Sequence, residues 1–186
     1  MNRDYLVSNE ENIVRQAIDG NQLAFSQIYD EYFNKVYRYI YFRVNNQAEA
    51  EDLTQEVFIK ALNAIGSYKQ REAPFASWLF RIAHNQVIDH VRKQTKQKRA
   101  PLEEATAVSM EDPVAITEQK TEVEELTAAL KKLPPAQQEV VSLRFIAGLH
   151  IAEVAKTLGK SEGTIKALQY NGTASLRKIL VQKYNG

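Results

Sequence analysis

Three sets of side chains are spaced to act on a macromolecular partner rather than on a small substrate. In the first, Trp78, Arg81, Asn85, Arg92 and Lys96 recur at helical intervals and fall on one polar stripe. An indole on such a stripe suits stacking on an unpaired base, and the cations beside it suit phosphate. Tyr68, Lys69, Arg71 and Phe75 precede it in a loop that could close over a flipped base, and Lys93 adds charge beyond. The alternative is that Phe75 and Trp78 pack between helices, with Trp78 half in the core. In the second set, Glu49, Asp52, Gln55 and Glu56 share a face with Ile59. A carboxylate face with a small apolar centre suits docking on a basic protein; the alternative is a solvated helix surface. In the third, Ser161, Thr164, Lys166, Ala167 and Tyr170 lie at the start of the last helix. Lys166 suits guanine acceptors, Ala167 or Tyr170 a thymine methyl, and Ser161 and Thr164 a phosphate at the helix N-terminus.

Placing these sets requires helices. Apolar residues recur with helical spacing and nothing alternates with period two, so the chain is expected to be all-α. The spacing predicts helices over 9–19, 21–44, 47–65, 75–97, 119–132, 136–147, 151–158 and 162–183. Leu133-Pro134-Pro135 ends one helix and opens the next. Two short helices around Gly159-Lys160, with Ser161 as an N-cap, make a helix-turn-helix; the alternative is an ordinary trihelical bundle with a solvated charged face. The expected organisation is a first domain at 1–97, a flexible acidic linker at 98–118 and a second domain at 119–186. On the 75–97 helix, Leu79, Phe80, Ala83, Val87 and Val91 are expected to form the buried side. The aromatics of the long helix, Tyr29 to Phe42, are expected mostly in the core.

Charge distribution supports a nucleic-acid partner. The 186 residues have a net charge of only +1. Yet residues 92–99 carry five bases and no acid, residues 103–125 carry eight acids against one lysine, and residues 127–186 carry nine bases against three acids. Basic units thus flank an acidic connector. No run of 18 apolar residues occurs, so no membrane insertion is expected. The N-terminus lacks the apolar stretch of a signal peptide and the chain has no cysteine, which together suggest a cytoplasmic protein. No nucleophile–base set, glycine-rich phosphate loop or metal-ligand spacing stands out: no cofactor, no metal and no enzyme activity are expected. His84 and His90, six apart, match a helical metal site poorly.

The run Ala50-Glu51-Asp52-Leu53-Thr54-Gln55-Glu56-Val57-Phe58, the run Pro74-Phe75-Ala76-Ser77-Trp78-Leu79-Phe80-Arg81-Ile82-Ala83-His84-Asn85 with Asp89-His90-Val91-Arg92, and Leu133-Pro134-Pro135 through Ser161-Glu162-Gly163-Thr164-Ile165-Lys166 occur in that order. Together they resemble the extracytoplasmic-function (ECF) sigma factors of bacterial RNA polymerase. The resemblance covers nearly the whole chain, as sigma region 2, a linker and sigma region 4. It implies a transcription initiation factor that binds the β′ and β subunits of core RNA polymerase and directs them to promoter DNA. It implies that the Asp52, Gln55 and Glu56 face docks on the β′ coiled coil. It also implies that Tyr68 to Lys93 reads and melts the −10 element, that the last helix reads the −35 element as duplex, and that an anti-sigma factor controls the protein.

One departure follows Tyr170, where the family commonly carries a basic helical run and this chain has Asn171-Gly172-Thr173. Asn171 stands at a −35 position without an arginine's reach. Gly172 is expected to soften the last helix by about 1 kcal/mol relative to alanine. A plain duplex-binding repressor or activator would explain residues 127–186 but neither the acidic face nor the Trp78 stripe. A regulator that never touches DNA fits the basic second half poorly.

Overall fold

The computed structural model describes residues 3–99 and 118–184, with side-chain environments over 9–96 and 123–182. The described residues are helical, without strands. Four helices form the first half: α1 (Arg3–Ile18), α2 (Gln22–Val44), α3 (Gln47–Ala64) and α4 (Phe75–Arg99). Four form the second: α5 (Glu118–Lys131), α6 (Pro135–Val141), α7 (Ile151–Leu158) and α8 (Glu162–Tyr184). These agree closely with the spacing-based helices. The expected linker at 98–118 lies almost wholly outside the described residues. No described helix is long and apolar enough to cross a membrane.

The breaks have local causes. Asn21 accepts from the backbone N–H groups of Leu23 and Ala24 and so starts α2. The two asparagines after α2 divide the work. Asn45 takes the left-handed conformation (φ 56°) and closes α2 with its N–H on the Tyr41 carbonyl, 2.7 Å away. Asn46 then caps α3 by accepting from the Glu49 N–H at 3.0 Å. After α6 the chain widens into a π-helical turn, Ser142–Ile146, whose Ala147 N–H reaches the Ser142 carbonyl. Gly148, at φ +79°, then turns the chain toward α7.

In the first half, α2 runs through the centre. Val36, Tyr39 and Ile40 are fully buried, against Leu79, Phe80, Ala83 and Val87 of α4 and Val57 of α3. Val91, assigned to the buried side by spacing, is 42% exposed instead, because α4 extends past the bundle that covers its earlier turns. Phe33, Tyr37 and Tyr41 stack in succession along a half-buried edge of α2, so the core holds fewer of its aromatics than expected.

The two halves do not stand apart. One apolar core runs from Tyr39 and Phe80 through Val140, Leu143, Val154 and Ile165. A second small cluster joins Phe42 of α2 to Leu130, Leu133 and Val141. Helix α7 lies against α4, and the π-helical turn lies against α2.

Candidate nucleic-acid interface

Helix α4 presents its stripe as the spacing requires. Arg81, Asn85, Arg92, Lys93 and Lys96 are exposed, while Trp78 is half-buried. The preceding loop differs from the expected open lid. Tyr68 and Phe75 are buried, and Tyr68 donates its hydroxyl to the Ala73 carbonyl at 2.7 Å, which ties the loop across its own base. Tyr68, Phe75 and Trp78 pack as a triad with ring centroids 5.2 to 5.5 Å apart. The rings hold one another because each buries apolar area that the short loop cannot otherwise cover. Lys69, paired with Glu72 at 3.3 Å, and Arg71 are exposed on the loop.

Beside this triad lies a cleft of about 600 Å³. Its walls are the 70–75 loop, Glu10 and Glu11 of α1, and His150, Glu153 and Lys156 from the second half. Burial, with Glu10 and Glu11 nearby, pushes the Tyr68 hydroxyl up to about 12, so it stays protonated and able to donate.

On α3, Asp52, Gln55, Glu56 and Ile59 are exposed, Ile59 by 59%, and Leu62 extends the apolar centre. Two of the carboxylates are engaged by α4. Glu49 meets His90 Nε2 at 2.9 Å and accepts from Gln94 at 3.1 Å. Glu56 accepts from Gln86, which in turn accepts from Lys60. The acidic face is therefore a surface braced from behind rather than a row of free carboxylates.

In the second half, Gly159 closes α7 in the left-handed conformation (φ 63°), where a glycine avoids the Cβ penalty. Ser161 then caps α8, its oxygen 3.1 Å from the Thr164 N–H, as the spacing predicts. Arg144 locks the motif from beneath, donating to the Leu149 carbonyl and, at 2.8 Å, to Gln169 of α8. With Ile165 buried, the same helix turns Lys166, Ala167, Tyr170 and Asn171 outward, Tyr170 by 75%.

Gly172 corrects the expectation of a soft last helix. A Cβ there would lie 2.8 Å from Val141 Cγ2 and 3.3 Å from Gln137 Cβ. The glycine is where α8 and α6 approach closely, so alanine would collide rather than stabilise.

Comparison with known proteins settles the family. Sigma-70 region 2 matches residues 28–97 and Sigma-70 region 4 matches residues 129–178. The ECF RNA polymerase sigma factor SigW of Bacillus subtilis is 32% identical over 180 residues, covering 90% of this chain and 94% of SigW. The chain belongs to the ECF RNA polymerase sigma factors. A second such relative of this sigma factor, BldN of Streptomyces coelicolor, is 41% identical over 174 residues; the match covers 90% of this chain and 64% of BldN's length. The fold also matches CnrH, solved in complex with the cytosolic domain of CnrY, with a TM-score of 0.74, 23% identity and coverage of 93% of this chain and 97% of that one.

The sigma factor also contains a polar cluster that spacing did not single out. Glu139 of α6 is 6% exposed and is held entirely by region 2. Tyr39 donates to its Oε1 at 2.5 Å, His84 Nδ1 stands 3.0 Å from the same oxygen, and Arg43 reaches Oε2 at 2.9 Å. Burial alone would push this carboxyl up. His84, Arg43 and Tyr39 outweigh it and hold the group below its ordinary value. Further along, Ser77 donates to the Glu153 carbonyl at 3.1 Å, Thr157 donates to the Ser77 carbonyl at 3.3 Å, and Arg81 donates to the Lys156 carbonyl. A signal for Glu139 did exist: it is one of three acids in residues 127–186 and is followed directly by Val140 and Val141.

Proposed function

We propose that this sigma factor grips core RNA polymerase through Asp52, Gln55, Glu56 and Ile59 of α3, with Glu49 at the edge. Its α8, through Ser161, Thr164, Lys166, Ala167, Tyr170 and Asn171, holds the −35 element as duplex. Helix α4 and its loop, through Trp78, Arg81, Asn85, Arg92, Lys93 and Lys96 with Tyr68, Lys69, Arg71 and Phe75 behind them, hold unpaired −10 bases. Melting is then driven by binding to the single strand, and all bond-making chemistry stays with polymerase, so the protein is not itself an enzyme. An anti-sigma factor restrains it, and it acts in the cytoplasm.

The observation that carries this reading is the outward set on α8. A capped helix start with Lys166, Ala167 and Tyr170 exposed and Ile165 buried is the arrangement that major-groove readout uses. Its second support is the pair of family matches, Sigma-70 region 2 over residues 28–97 and region 4 over residues 129–178. Purified core polymerase with this protein should start transcription at a defined set of positions in its genome, found by start-site mapping. Binding to DNA without any association with core polymerase would instead make it a plain duplex-binding regulator.

A further inference from the structure

We propose that Gln86 is a spacer that keeps Lys60 off Glu56, and so holds a docking carboxylate of α3 unpaired for a basic partner. The inference rests on the reading of the Asp52, Gln55 and Glu56 face as the grip on core RNA polymerase.

Three observations carry it. First, Glu56 and Lys60 stand four residues apart on α3, with the glutamate toward the N-terminus. That order is the one in which a helix closes an ion pair most readily. The same arrangement does close elsewhere in this chain, as Glu31 with Lys35 on α2 at 2.5 Å and Glu162 with Lys166 on α8 at 4.0 Å. Among the described ion pairs there is none between Glu56 and Lys60. Second, both side chains end on one amide from α4. The Gln86 amide nitrogen donates to Glu56 Oε2, and Lys60 Nζ donates to Gln86 Oε1. The amide is oriented as the charges dictate, donor to the anion and acceptor to the cation. Third, Gln86 is 6% exposed, next to Val87, which is wholly buried on the same helix. An apolar side chain would suit this seam. A buried amide is unfavourable there unless both of its ends are bonded, and the two groups that bond it are the two it separates.

Gln86 is thus a positioning residue, acting on the partner through Glu56. A direct pair with Lys60 would cancel the Glu56 charge where a basic surface needs it, and docking would first have to break that pair. Through the amide, the carboxylate stays anionic and oriented. Only its Oε2 is engaged, which leaves Oε1 for a cation from outside. The Lys60 ammonium is drawn back toward α4.

Zero-length cross-linking with a carbodiimide reads the pairing in the free full-length chain, because it joins a carboxylate to an amine only in contact. Mass spectrometry should find the Glu31–Lys35 link in the unaltered protein, and the Glu56–Lys60 link at most about a fifth as often. Gln86→Met, apolar and of similar length, should raise the Glu56–Lys60 link at least about threefold at unchanged helical circular dichroism. It should also weaken binding to core RNA polymerase about threefold to tenfold, since one charge must leave a surface pair and be oriented again before docking. Lys60→Gln should recover that loss in the Gln86→Met background yet shift affinity by less than about twofold alone, a non-additivity that a merely structural role would not produce. Gln86→Glu keeps the side chain's shape and engages Lys60 itself. It should therefore abolish the Glu56–Lys60 link and weaken binding less than Gln86→Met, which keeps the idea testable should the methionine variant unfold. A Glu56–Lys60 link as frequent as Glu31–Lys35 in the unaltered protein, no rise of that link in Gln86→Met, or additive effects of Gln86→Met and Lys60→Gln would each overturn the spacer. Core affinity indifferent to Glu56→Gln would overturn the docking reading of α3 instead, whatever the cross-links show.

Discussion

Replacing Gly172 with alanine sets two effects of similar size against each other, and the structure decides which wins. In a free helix the change stabilises by about 1 kcal/mol, because glycine pays more backbone entropy. Here the added Cβ would meet Val141 Cγ2 at 2.8 Å, Gln137 Cβ at 3.3 Å and the Gln137 carbonyl at 3.4 Å. Val141 is buried, and a β-branched side chain in a helix has one strongly preferred rotamer, so its methyl cannot swing away. Gln137 offers Cβ and backbone, which move only with α6. Overpacking of this kind costs about 1–3 kcal/mol, so after the helix gain the net expectation is destabilisation by up to about 2 kcal/mol. Urea unfolding followed by circular dichroism measures it. The decisive control is Val141→Ala. Removing the methyl leaves room for the new Cβ, and in that background Gly172→Ala should be neutral or stabilising by up to about 1 kcal/mol. The two changes should therefore couple strongly in a double-mutant cycle. Stabilisation by Gly172→Ala in the otherwise unaltered protein would refute the close approach.

Trp78→Ala should reduce open-complex formation about tenfold to a hundredfold, the range for one lost base stack, with core association nearly unchanged. Asp52→Lys should do the reverse; equal loss of both activities in each variant would indicate unfolding. Ser161→Ala should lower the stability of region 4 by about 1 kcal/mol in thermal melts, because the Thr164 N–H loses its acceptor. Glu139 has a carboxyl held below its ordinary 4.5, so its ionised form contributes stability above that value and the contribution is lost as pH falls through the folded value. Stability titrations should show the difference between the unaltered protein and Glu139→Gln shrinking in acid. A constant difference from pH 7 to pH 3 would contradict the pairing with Arg43 and His84.

What the sequence made legible was governed by local rules. The bounds of α3, α4 and α8 follow from spacing and from caps such as Asn46 and Ser161, whose partners lie within three residues. The exposed sets on α3, α4 and α8 follow from the same periodicity. The misreadings share a cause, which is contact between residues distant in sequence. Gly172 looked like a flaw in a helix because its neighbours, Gln137 and Val141, lie 31 or more residues away. Glu139 and its partner Tyr39 are separated by 100 residues. Val91 matched the buried period, but period alone does not say where the covering bundle ends. A loop carrying aromatics such as Tyr68 and Phe75 can close over a base or pack between helices, and the tie from Tyr68 to Ala73 fixes it inward.

The polar rungs between α3 and α4 have a consequence for promoter architecture. Glu49 with His90 and Gln94, and Glu56 with Gln86 and Lys60, bolt α3, the helix proposed to grip polymerase, to α4, the helix proposed to capture the strand, at two heights. On the proposed roles, docking and melting are set by one stiff ruler, with no joint between them. The offset from the melted bases to the polymerase active centre is then constant for this protein, whatever the promoter. Promoters served by this factor should therefore keep a fixed distance between the downstream element and the start point, and a base pair inserted there should move the start by one base rather than stretch the gap.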